Sequence, residues 1–180
     1  MRKWRSAWLA PLCTLAALCA QTTAGAQGSS AEAQRFGALM NAERSLNVGK
    51  VLSDGIEVHD RSGKTVDLHK AVKGPITLLK FNPGCPPCVT VFKYLQAHAS
   101  QYTSAQGATL AVLVVESKDA SDYVGEGAPA TYITPSKLEG SVLAGEITPS
   151  VFFFDKDLRL IERRAGLTTP ESMLRYPQSP

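Results

Sequence analysis

Two cysteines separated by two prolines make up the segment of this chain best suited to chemistry, Cys85-Pro86-Pro87-Cys88. They follow an apolar run, Ile76–Phe81, and precede a segment with the spacing of an amphipathic helix. With Cys85 as the cap of that helix, Pro86 and Pro87 occupy its first turn, where a missing N–H costs nothing. The helix N-terminus then stabilises a Cys85 thiolate. The pattern predicts thiol–disulfide exchange, with Cys85 as the nucleophile and Cys88 as the resolving thiol.

The first 26 residues have the three parts of a secretory signal peptide. Basic residues near the start are followed by an apolar run over residues 7–20 and by the small residues Ala24-Gly25-Ala26. We therefore expect cleavage after Ala26 and an exported, periplasmic protein. The alternative is an uncleaved membrane anchor, but the apolar run is shorter than the roughly 18 to 20 residues of a spanning helix.

Removal of residues 1–26 changes the composition of what remains. That segment carries three of the 19 basic residues and none of the 16 acidic ones, so the net charge of the mature chain falls from +3 to zero. A neutral chain gives no electrostatic reason to expect nucleic acid or an anionic membrane as a partner. Cys13 and Cys19 also leave, so that Cys85 and Cys88 are the cysteines of the mature chain. A purely structural disulfide across so short a loop would contribute about 1.9 kcal/mol, against about 3 kcal/mol for a 15-residue loop, which favours a redox role.

Strands and helices alternate along the mature chain, which predicts a single α/β domain with a mixed central sheet flanked by helices. Strands are predicted at residues 56–59, 65–68, 76–81, 109–115, 151–154 and 158–163, the first two as an N-terminal β-hairpin. Helices are predicted at residues 30–46, 88–100, 135–143 and from Thr169 onward. The predicted organisation is an N-terminal helical extension over 27–54, the α/β domain over 55–176 and a frayed tail over 177–180.

The order of these features resembles the thioredoxin superfamily: a strand, Cys-Pro-Pro-Cys, a helix and, 64 residues after Cys85, Thr148-Pro149 entering another strand. The resemblance covers about residues 55–176 and is nearest to the exported TlpA-like branch, which has a preceding β-hairpin and an insertion like residues 105–147. It implies a thioredoxin-like fold and a thiol–disulfide oxidoreductase, and no cofactor is expected. It also implies that the bond before Pro149 is cis and lies beside the dithiol, and that Thr148 offers backbone groups to an extended substrate segment.

Several positions depart from the family's pattern. Gly84 stands where the family has a tryptophan, Val91 where several TlpA-like reductases have an acidic residue, and Lys80 where thioredoxin has a buried acid. A Lys80 cation behind the dithiol would favour the Cys85 thiolate. The favoured alternative is that Lys80 extends to solvent from a strand end. Glu116, after the next strand, is a candidate proton relay, or simply a polar strand end.

Other classes of site fit these residues less well. The histidines His59, His69 and His98 have no close metal-ligand spacing to the cysteines, so no metal site is expected. Haem attachment would require a histidine where Val89 stands. The open alternatives are a DsbA-like disulfide oxidase or isomerase, and a thioredoxin-fold binding module without turnover. The expected partners are exported proteins with cysteines and a membrane thiol reductase or oxidase, and reduction of clients is the favoured direction.

Overall fold

The computed structural model describes residues 24–115, 120–123, 130–134, 138–166 and 169–177, with the backbone alone described at 24–30, 102–106 and 120–121. The predicted signal peptide lies outside these ranges up to residue 23, as do Glu116 and residues 178–180 of the predicted tail. The chain divides between Ala38 and Leu39 into two compact units. The second unit thus begins within the segment predicted as an N-terminal extension.

Seven strands form one mixed sheet within the described residues. They are β1 (Glu57–His59), β2 (Thr65–Asp67), β3 (Ile76–Phe81), β4 (Thr109–Val115), β5 (Ala130–Thr134), β6 (Ser150–Phe154) and β7 (Leu160–Ala165). Their order across the sheet is β2-β1-β5-β4-β3-β6-β7. β3, β4 and β5 run parallel to one another, whereas β6 and β7 pair antiparallel at one side and β1 and β2 at the other. The predicted mixed sheet and its N-terminal hairpin are confirmed.

Four α-helices accompany the sheet in the described residues. They are α1 (Ala24–Ser45), α2 (Leu68–Ala71), α3 (Pro86–Gln106) and α4 (Pro170–Leu174). α3 is longer than the sequence predicts, and it ends at Gly107, whose φ of 62° supplies the left-handed cap. Thr169 caps α4 as predicted, because its hydroxyl oxygen accepts a hydrogen bond from the backbone N–H of Ser172.

The insertion between α3 and β6 differs from the prediction. β5 is a strand that the sequence pattern does not predict, and it pairs with β4 along its whole length. The helix predicted over residues 135–143 is wrong in its described part, because residues 138–143 form turns. Gly140 has a φ of 77°, which an α-helix does not admit. The Ser141 hydroxyl also accepts from the N–H of Leu143, a local bond that competes with helix.

The strand β3, between β4 and β6, is buried at all six positions and separates two hydrophobic clusters. Successive side chains of a strand point to opposite faces of the sheet. Leu79 and Phe81 accordingly belong to the cluster that contains Cys88 of α3, whereas Ile76 and Leu78 belong to the other cluster. We refer to the first side as the α3 face and to the second as the opposite face.

An aromatic group on the α3 face joins α3 to the strand that leads into it. The rings of Phe81 and Phe92 stack with centroids 4.9 Å apart, and the Tyr123 ring meets both edge-on at 5.0 and 5.2 Å. Such contacts add to the stabilisation from burying the rings. Because Phe81 precedes Cys85 by four residues, this packing positions the start of α3.

We expect Phe92→Ala to lower the free energy of unfolding by about 3–5 kcal/mol, because the side chain is 2 % exposed and its loss leaves a cavity. Urea unfolding of the oxidised protein measures the change. Lys93→Ala, at an exposed position of the same helix, is the control and should shift the value by no more than about 0.5 kcal/mol. Equal losses in the two variants would contradict this account of the core.

Candidate active site

Cys85 occupies the N-cap of α3, with φ −106° and ψ 108°, and is disulfide-bonded to Cys88. Its sulfur accepts a hydrogen bond from the backbone N–H of Cys88 at 3.4 Å. Pro86 and Pro87 form the first turn, where their missing N–H groups would have had no intrahelical partner. The local arrangement is the one that the sequence predicts, with a sulfur at the positive end of a 21-residue helix.

The two cysteines differ in their access to solvent. Cys85 is half-buried, whereas Cys88 is fully buried in the cluster that packs α3 against the sheet. A reagent in solvent can therefore meet Cys85, whereas Cys88 is shielded from it. This asymmetry fits an attacking thiol and a resolving thiol.

The loop before β6 lies next to the dithiol. The Thr148–Pro149 bond is cis, and the carbonyl oxygen of Thr148 lies 3.8 Å from the Cys85 sulfur. Pro149 is buried and Thr148 is partly exposed. Thr148 also lines a cavity of about 510 Å³, which reaches to Asn82 and Lys80 of the segment that leads into α3. The site thus combines a half-buried cysteine with a neighbouring backbone carbonyl.

Lys80 is buried rather than extended to solvent, so the alternative favoured from the sequence is wrong. Its side chain is on the opposite face, because it lies between Leu79 and Phe81 on β3. It is 3 % exposed, and its Nζ donates to the carbonyl oxygens of Leu143 at 3.2 Å and Gly145 at 2.8 Å. These carbonyls replace the water that a strand-end lysine would have found.

Two charged residues that the sequence analysis does not single out lie beside Lys80. The Arg163 guanidinium of β7 forms an ion pair with the Glu43 carboxylate of α1, and both side chains are buried. We refer to Glu43, Lys80 and Arg163 as the charge cluster. Burial lowers the pKa of Lys80 to about 8, with a further lowering from the Arg163 charge and an opposing effect from Glu43. Burial also lowers the pKa of Arg163, again opposed by Glu43.

The sequence signal that bears on the burial of Arg163 is the alternation of side chains along β7, and it misleads because β7 is not a regular strand. In a regular strand, Ile161 and Arg163 would share a face, and Leu160 would point to the other. A bulge in the pairing of β6 with β7 breaks this alternation. Leu160 and Arg163 are both buried as a result, and Ile161 is 39 % exposed.

The part of the chain that the structure describes contains neither a metal-ligand cluster nor a membrane-spanning helix. No group of three or more His, Cys, Asp or Glu side chains there could hold a metal ion. None of the helices described is both long and apolar enough to cross a membrane. The candidate proton relay Glu116 lies outside the described residues.

Solved structures share this fold. A secreted thiol-disulfide isomerase from Corynebacterium glutamicum is 22% identical with a TM-score of 0.52, and the match covers 67% of this chain and 80% of that one. A Chlorobium tepidum protein provisionally named thiol:disulfide interchange protein DsbE is 17% identical with a TM-score of 0.56, over 71% of this chain and 91% of that one. The peroxidoxin BcpB from Mycobacterium tuberculosis is 14% identical with a TM-score of 0.51, and the match covers 71% of this chain and 91% of that one.

No family model and no curated protein matches the chain. At these identities the structural likeness establishes the fold, and the predicted thioredoxin-like fold is confirmed. Proteins named as a thiol-disulfide isomerase and as a peroxidoxin share this fold, so the fold by itself does not define the activity.

We expect Lys80→Met to remove a pH dependence of stability. A lysine with a pKa near 8 when folded and near 10.5 when unfolded binds more protons in the unfolded state between those values. The destabilisation that results from burying the Lys80 charge is therefore complete below pH 8 and is relieved as the pH rises towards 10.5. The free energy of unfolding of the wild type should rise by about 2 kcal/mol relative to Lys80→Met between pH 7 and pH 10. Urea unfolding at several pH values measures this difference, and parallel pH profiles would show that Lys80 is not a buried cation.

Proposed function

We propose that the protein is an exported thiol–disulfide oxidoreductase that exchanges two electrons with cysteine-containing client proteins through Cys85 and Cys88. The observation that carries the proposal is the position of the Cys85 sulfur, which caps α3 and lies 3.8 Å from the Thr148 carbonyl oxygen. An extended client segment that pairs with the backbone at Thr148 would bring its own sulfur to Cys85. The named activities of the neighbours from Corynebacterium and Chlorobium support this chemistry on the same fold.

In the reducing direction, the Cys85 thiolate attacks one sulfur of the client disulfide and releases the other as a thiolate. A mixed disulfide then joins Cys85 to the client. The Cys88 thiol, after loss of its proton, attacks the Cys85 sulfur, which releases the second client thiolate and closes the Cys85–Cys88 disulfide. Two electrons have moved from the dithiol to the client, so a membrane thiol reductase has to return them before the next turnover.

Export and the direction of transfer belong to the same proposal. The predicted signal peptide supports a periplasmic or otherwise exported location, and the secreted Corynebacterium neighbour is consistent with it. The resemblance to the TlpA-like branch favours reduction of clients. A DsbA-like oxidase would use the same two cysteines in reverse and would need a membrane thiol oxidase as its partner.

Substitutions of the two cysteines should impair the reaction in different ways. We expect Cys85→Ser to abolish catalysed reduction of insulin disulfides by dithiothreitol, because the attacking sulfur is lost. We expect Cys88→Ser to lose turnover but to accumulate a mixed disulfide with the client, because nothing resolves it. Non-reducing electrophoresis followed by mass spectrometry detects the trapped species at Cys85. No turnover by the wild type would contradict an enzymatic role and favour a binding module, whereas full turnover by Cys85→Ser would contradict the assignment of Cys85 as the attacking sulfur.

The reduction potential of the pair determines the direction. We expect a value near or below about −270 mV, as in a reductant, measured by equilibration with glutathione or dithiothreitol redox buffers. A value near −120 mV, the region of a strong oxidant, would instead favour the DsbA-like alternative.

A further inference from the structure

We propose that the charge cluster of Glu43, Lys80 and Arg163 consists of positioning residues that hold the client-binding backbone of Thr148 in place. The inference rests on the proposed function and deepens it, because it assigns the part of the molecule that presents Thr148 to a client. The residues act through the loop over residues 143–148, which we refer to as the client loop. They do so from the opposite face of the sheet from the dithiol.

Each of the five residues before Thr148 has a backbone group bound by a side chain. The charge cluster makes four of these bonds and Ser150 makes the fifth. Lys80 Nζ donates to the carbonyls of Leu143 (3.2 Å) and Gly145 (2.8 Å), Arg163 Nη1 donates to that of Ala144 (2.8 Å), the Glu146 N–H donates to Glu43 Oε1 (2.9 Å), and Ser150 Oγ donates to the carbonyl of Ile147 (2.6 Å).

The client loop needs such bonds because it lies outside the helices and strands. Partly buried backbone N–H and C=O groups require partners, and here no ladder supplies them. Bonds from charged groups are shorter and stronger than those between neutral groups. Three charged side chains on three different elements, α1, β3 and β7, therefore fix one irregular segment.

The burial of these charges is better explained by their role in holding the client loop than by a contribution to the free energy of unfolding. The Arg163 charge is compensated by the Glu43 carboxylate and by the Phe152 ring, whose centroid lies 5.0 Å from the guanidinium carbon. Even so, well-packed apolar residues usually stabilise a core as much as a buried ion pair does. What apolar residues could not do is bind the backbone of the client loop.

The consequence for the site follows from the place of Thr148 in the chain. Thr148 follows the last of the five bound residues, and its carbonyl oxygen lies 3.8 Å from the Cys85 sulfur. A displacement of about 1 Å in a group that orients a substrate is enough to slow a reaction severely. Displacement of the client loop should therefore impair the handling of polypeptide clients without acting on the Cys85 sulfur itself.

The substitution Gly145→Ala tests the inference through a change in the client loop rather than in the charge cluster. Gly145 has a φ of 131°, and a Cβ atom there would overlap the side chains of Arg163 and Glu43. Gly140→Ala is the matched control, because Gly140 also has a positive φ but no atom within 4 Å of an added Cβ. The control introduces an alanine at a positive φ without disturbing the charge cluster.

The measurements are KM and kcat for insulin reduction by dithiothreitol, and the rate at which iodoacetamide alkylates Cys85 in the reduced protein. We expect the KM of Gly145→Ala to exceed that of Gly140→Ala by at least about fivefold, with alkylation rates within about twofold, since only the polypeptide uses the loop. Equal KM values would overturn the inference. So would a fall in the alkylation rate that matches the fall in kcat/KM, because the effect would then lie on the dithiol itself.

Lys80→Met provides the second variant should Gly145→Ala fail to fold. It removes the donor to two loop carbonyls and keeps an unbranched side chain of similar length. We expect the KM for insulin to rise in this variant too, and an unchanged KM would overturn the inference, whatever the loss of the Lys80 charge does to the alkylation rate of Cys85. Wild-type turnover tests the proposed function separately: an active wild type with unaltered variants would overturn the positioning role alone.

Discussion

The antiparallel register between β3 and β6 brings the two halves of the site together. Lys80 lies opposite Ser150, so the end of the strand that leads to Cys85 meets the start of the strand that follows Thr148 and Pro149. The backbone ladder thus joins groups that are 63 residues apart in sequence. Both strands are buried on both faces, and a slip of one residue would exchange the two faces along the whole strand. The register, and with it the approach of Thr148 to the Cys85 sulfur, is therefore strongly specified.

The two faces of the sheet contribute different kinds of interaction to that meeting point. On the α3 face, apolar packing around Phe81 and Phe92 supports the helix that Cys85 caps. On the opposite face, charged side chains bind the backbone of the client loop, which has no regular secondary structure of its own. A helix can be held by packing alone because its backbone groups are already paired, whereas an irregular loop cannot.

Much of the fold could be predicted from the sequence because it depends on local patterns. The continuous apolar run of β3 and the threonine cap of α4 are legible within a few residues. The turns over 138–143 and strand β5 were not predictable in this way, since β5 is defined by its pairing with β4. Lys80 illustrates the same limit: a lysine near a strand end is ordinarily solvated, and only the carbonyls of Leu143 and Gly145 make its burial possible.

The dithiol and its place at the start of a helix follow from the chain alone, because two cysteines, two prolines and an apolar strand are adjacent in it. The surroundings of the dithiol depend instead on contacts between distant elements of the fold. The bulge between β6 and β7 directs Arg163 into the core, and α1 supplies the Glu43 carboxylate that pairs with it. These contacts join elements distant in sequence and depend on a broken alternation, so no local pattern contains them.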